Sequence, residues 1–70
     1  MAEIDDMAKL RQLAGHWSEH NSEHERNYLG WAERAEAAEQ AGAAVVLRRM
    51  AAMSREMEPL LKELSRTLGD

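Results

Sequence analysis

Residues 39–47, Glu39-Gln40-Ala41-Gly42-Ala43-Ala44-Val45-Val46-Leu47, decide how this 70-residue chain folds. One helical pattern stops here and another starts. Gln40-Ala41-Gly42 predicts the stop, with Gly42 taking the left-handed conformation that closes a helix at least steric cost. Upstream, apolar or aromatic residues recur at spacings of three and four: Met7, Leu10, Ala14, Trp17, Tyr28, Trp31, Ala35 and Ala38. Asn21 and His24 fill the two missing beats. This heptad seam predicts one helix over about residues 5–40, opened by Asp5 and Asp6 at its positive end. Downstream, Ala43, Leu47, Met50, Ser54, Met57, Leu61, Leu64 and Leu68 repeat the spacing and predict a second helix over about residues 43–68. Pro59 falls inside that pattern and predicts a kink near Arg55 or a new segment after Glu58.

Composition agrees. Twelve Ala, ten Glu and eight Leu stand against one Pro, two Val, one Ile and no Phe, which leaves no room for a sheet. The expected fold is all-α: a single domain over residues 1–70, an antiparallel two-helix hairpin with a long first helix and a turn at 41–42. Counting outward from Gly42 sets Trp31 against about Met53, His24 against about Leu60 and Trp17 against about Thr67. Met7, Leu10 and Leu13 are then left without a partner. A second ridge on helix 2, Val46, Met53, Leu60 and Thr67, widens its apolar face beyond what one neighbour covers. Both features predict self-association, most simply a homodimer closing a four-helix bundle. Met50, Met53 and Met57, at core spacing among Leu and Ala, read as core residues.

Charge narrows the partners. Nine basic and thirteen acidic residues give a net charge of −4, and the basic residues form no stripe, so nucleic acid is not an expected partner. The longest apolar run, Ala43 to Leu47, is far short of the roughly 20 residues of a membrane span. The opening MAEIDDMAK has no signal-peptide pattern, so a cytoplasmic protein without a membrane partner is expected. There is no cysteine, so any metal must be held by imidazole and carboxylate.

One segment departs from the plain helical pattern: His16-Trp17-Ser18-Glu19-His20-Asn21-Ser22-Glu23-His24. It carries all three histidines, at i, i+4 and i+8. Each step of four turns a helical side chain by only about 40°, so the imidazoles form one slanting row and neighbours can chelate one ion. Glu19 and Glu23 each follow a histidine by three residues and can add oxygens or orient the rings. The expected metal site is His16, Glu19, His20, Glu23 and His24, with His20 and His24 as the principal pair and His16 peripheral. Glu58 or Glu63 of helix 2 is a candidate further ligand. Such a donor set suits Zn, Ni, Fe or Cu without choosing among them. The plainer alternative stays open, that Asn21 and His24 are register-setting polar residues of a core.

Enzymatic templates fit less well. His16-x-x-Glu19-His20 and His20-x-x-Glu23-His24 both match the H-x-x-E-H string of inverzincin metallopeptidases. A string that short recurs easily in a Glu/His-rich helix, and so small a chain offers no substrate cleft. Di-iron bundles use E-x-x-H, whereas the order here is H-x-x-E, so neither a metallohydrolase nor a ferritin-like oxidase is expected.

The same segment, continued by Glu25-x-x-Tyr28-x-x-Trp31-Ala32-Glu33-x-Ala35, resembles a family of small prokaryotic helical-hairpin proteins carrying an H-W-x-E-H-N-x-E-H string. The resemblance covers about residues 10–45, and Pro59 is atypical of it. It implies that the cluster is a site and implies no reaction. The resulting expectation is a small cytoplasmic metal-binding protein that stores, delivers or senses a transition metal. The alternative is a metal-free module that binds itself or a protein partner through its apolar faces.

Overall fold

The computed structural model describes residues 2–69, and the side chains of 6–68 among them. Helix α1 (Ala2–Ala37) and helix α2 (Ala41–Gly69) account for nearly all of it. Arg11 reaches Leu68, Ser22 meets Glu58 and Glu36 meets Arg48, so the helices run antiparallel, in a rod of 55 × 17 × 13 Å. Among the described residues no helix is long and apolar enough to cross a membrane. Met1 and Asp70, at the ends of the expected domain, lie outside the described residues.

Helix α1 starts at Ala2, because Ala2 and Glu3 are themselves good helix formers. Asp5 and Asp6 therefore fall within the helix rather than at its cap. The side chain of Asp5 lies outside the described ones.

The chain turns at Ala38-Glu39-Gln40, ahead of the expected Ala41-Gly42. The Gln40 amide donates to the Ala35 carbonyl at 2.8 Å, and the Glu39 amide donates to Glu36 at 3.0 Å. These are the paired bonds of a Schellman close. Glu39, not a glycine, supplies the left-handed residue, at φ 62°. The Gln40 carbonyl then accepts from the Ala44 amide at 3.0 Å and opens α2. Gly42 is an ordinary residue of the first turn of α2, with open space where a Cβ would stand.

An earlier turn moves the register. Ser22 faces Glu58 and Glu25 pairs with Arg55, so His24 is level with about Glu56. That is roughly one helical turn from the expected Leu60, and Trp31 is displaced from Met53 by as much. Arg11 Nε donates to the Leu68 carbonyl at 2.6 Å, satisfying one of the carbonyls that the end of α2 leaves free. Met7 is exposed as expected, whereas Leu10 is half-buried.

The seam is rotated as well as shifted. In α1 the buried or half-buried run is Ala14, Ser18, Asn21, Glu25, Tyr28, Ala32 and Ala35. It shares Ala14, Asn21, Tyr28 and Ala35 with the expected seam, but Ser18, Glu25 and Ala32 replace Trp17, His24 and Trp31. In α2, Ala44, Ala51 and Glu58 likewise replace Ala43, Met50 and Met57. Small side chains explain the rotation at Ser18, Ala32, Ala44 and Ala51, while Glu25 and Glu58 are held at the seam by Arg55 and by Asn21 and Ser22. The distance between two packed helices is set by the side chains at the contact, and alanine and serine allow a close approach that Trp or Met would prevent. The core is accordingly thin: Ala14, Ala32, Ala44, Ala51 and Leu61, with no large side chain fully buried among the described residues.

Pro59 does not end α2. Helix α2 continues through it to Gly69, with the ring exposed, so no new segment begins after Glu58. Only the bond to the Arg55 carbonyl is forgone.

The hairpin has two unlike flanks. One is polar: Glu25 pairs with Arg55 at 3.1 Å, and Glu36 receives both terminal nitrogens of Arg48 at 3.1 and 3.2 Å. Gly15, Ser18, Glu19, Ser22, Glu23, Arg26 and Ser65 line a groove on that side. The other is apolar. Trp17, Met50, Met53, Met57 and Leu60 are 43%, 38%, 71%, 47% and 60% exposed there. The methionines expected in the core are at its edge, because the alanines beside them fill the contact.

Candidate functional site

The apolar flank holds the histidines. His16, His20 and His24 stand one helical turn apart on α1, and their rings form a ladder. The His16 and His20 ring centres are 4.2 Å apart, those of His20 and His24 5.9 Å, and Tyr28 continues the ladder 5.9 Å beyond, stacked on His24 at 12°. His20 is thus the middle member, and His16, expected to be peripheral, belongs to the closer pair.

The row lines a groove of about 560 Å³ whose other walls are Trp17, Asn21, Met57 and Leu61. A neighbouring hollow, bounded by Tyr28, Met50, Met53, Ser54 and Met57, continues it toward the turn. All three histidines are exposed, and none hydrogen-bonds another protein group among the described residues. Imidazoles one turn apart on a helix, open to solvent on one side and backed by carbon on the other, are a chelating arrangement.

Asn21 behaves differently. It is half-buried on the seam, and its Nδ2 donates to the Ser54 carbonyl at 2.6 Å. Longer contacts run from Asn21 (3.5 Å) and the Ser22 hydroxyl (3.4 Å) to Glu58 Oε2. A single polar cross-link of this kind fixes which turn of one helix meets which turn of the other. The polar role inside the seam belongs to Asn21, with Glu58, and His24 stands outside it.

The carboxylates do not gather around the row. Glu19 and Glu23 line the groove on the polar flank. Glu58 is engaged by Asn21 and Ser22, and Glu63 is exposed. Among the described residues no group of three His, Asp or Glu side chains comes close enough to hold one ion. One chain therefore offers pairs of imidazoles rather than a closed site.

Met57, Leu61 and Tyr28 are the residues of this groove that sequence reasoning assigned to packing alone. The signal for them was present: Met50, Met57 and Leu64 are spaced by seven, as are Val46, Met53 and Leu60, alongside Trp17, His24 and Trp31 on α1. These stripes run beside the seam of small residues and form a second contact face.

No curated protein and no solved structure matches the chain. Residues 10–68, which include the histidine row and most of α2, match the family described as a domain of unknown function, DUF8180. On that match over most of its length, the chain belongs to the DUF8180 family.

Proposed function

We propose that this chain is a small metal-binding protein of the cytoplasm that stores, delivers or senses a transition metal ion (Zn, Ni, Fe or Cu) through His16, His20 and His24. Glu19 and Glu23 serve as neighbouring carboxylates that attract the cation rather than as ligands on the same face. The observation that carries this reading is the exposed row of three imidazoles, which make no hydrogen bond to another protein group among the described residues and are set against Trp17, Met57 and Leu61. Polar side chains placed only to fix helix register would be buried and bonded, as Asn21 is. A second reading, a metal-free module that self-associates as a homodimer in a four-helix bundle, is favoured by the uncovered Met50, Met53, Met57 and Leu60.

Metal analysis of untagged protein, before and after incubation with each of the four ions, separates the two. The metal reading expects uptake of one ion per chain or per pair of chains, which His20→Ala with His24→Ala abolishes while helix content is kept. If wild-type protein ignores all four ions, the metal reading fails and the apolar flank becomes the function.

A further inference from the structure

The histidine row lies at the centre of the flank that this hairpin leaves uncovered, and in one chain it is an incomplete site. We infer that a second copy of the chain covers that flank about a twofold axis, and that the ion is held by imidazoles from both copies. The inference rests on the metal-binding reading and adds to it the partner and the ligand set.

Four observations carry it. The first is the donor count: among the described residues a single chain assembles no three donors, while zinc and copper sites take three or four protein ligands. Of the carboxylates expected to complete the site, Glu19 and Glu23 line the polar groove, Glu58 is bonded on the seam and Glu63 is exposed. The second is size. A face of 55 × 17 Å amounts to about 900 Å², and a stable interface buries about 800 Å² per partner.

The third is position. The apolar stripe on α1 runs from Leu10 through Leu13, Trp17 and His24 to Trp31, and its midpoint falls at His20 and Asn21. Residues near a twofold axis meet their own copies. Centring the contact on this stripe therefore brings each histidine row against the other, between walls of Trp17 and Met57. The fourth is the thin seam: with alanines for most of the core, Trp17, Met50, Met53, Met57 and Leu60 are left uncovered on this flank. A pair of copies joined this way supplies an all-imidazole site of up to four nitrogens. That set favours Cu and Zn over the more oxygen-loving Fe.

The test uses the full untagged chain with Zn(II) and Cu(II) as probes. Native mass spectrometry and sedimentation should show two chains per particle carrying one ion. The Cu(II) electron paramagnetic resonance spectrum should show coupling to more than two imidazole nitrogens. Met53→Glu, at an exposed position outside the histidine row, should give single chains that bind Cu(II) roughly tenfold or more weakly. Circular dichroism checks that its helices persist, and if they do not, the wild-type spectrum and stoichiometry decide alone.

Single chains binding one ion each through two nitrogens overturn the shared site and leave the metal reading intact. So do paired chains that carry one ion apiece. Paired chains that take up neither ion overturn the shared site, and if they ignore Ni and Fe as well the metal reading falls with it. Chains that stay single until some other protein is added also overturn it, and assign the flank to that protein.

Discussion

Glu39 sits at φ 62° with a Cβ that the left-handed region disfavours, and it is held there by the bonds that close α1. The conformation costs a residue with a side chain about 1 kcal/mol or more relative to glycine. Glu39→Gly should therefore stabilise the hairpin by about 1 kcal/mol, read as a rise of several degrees in thermal midpoint by circular dichroism. An unchanged midpoint would mean that the turn is not the one described. This position also explains why the turn was misplaced from sequence. Glutamate is a helix former and gives no left-handed signal, while Gly42, which gives the usual one, is free to join α2 among alanines. The histidine spacing, by contrast, was legible. A helix fixes which face residues 16, 20 and 24 share, whatever packs against it.

At the scale of the helix, the existence, type and pairing of both elements follow from composition and a short turn. The facing surface does not. Each helix carries two stripes at heptad spacing, one of small residues and one of large apolar residues, and hydrophobicity alone ranks the large one first. Close approach reverses the ranking, so Ala14, Ala32, Ala44 and Ala51 meet inside while Trp17, Trp31 and the methionines flank them. The same reversal separates the candidate ligands: it turns the imidazoles toward the apolar flank and leaves Glu19 and Glu23 beside the polar groove. A direct check is Ala51→Leu. Ala51 is 1% exposed, and the added carbons have no space unless the helices part, so the variant should lose about 1–3 kcal/mol in urea unfolding. If the methionine stripe were the true seam, Ala51→Leu would be neutral or stabilising.

Over the whole molecule, two helices joined by a three-residue turn bury too little to be strongly stable alone. Covering the apolar flank with a second copy links folding to association, so the thermal midpoint should rise with protein concentration. A midpoint independent of concentration would mean that the single hairpin is the stable unit.

The polar flank has its own consequence for how far such growth can go. Its ion pairs, half-buried Glu25 with exposed Arg55 and Glu36 with Arg48 in water, are already satisfied within the chain, worth little individually but costly to strip of solvent. A rod that is adhesive on one side and wetted on the other can close face to face but cannot stack into a fibre. If a second copy covers the apolar flank, assembly is self-limiting, and light scattering should level off at the smallest closed particle however concentrated the solution becomes.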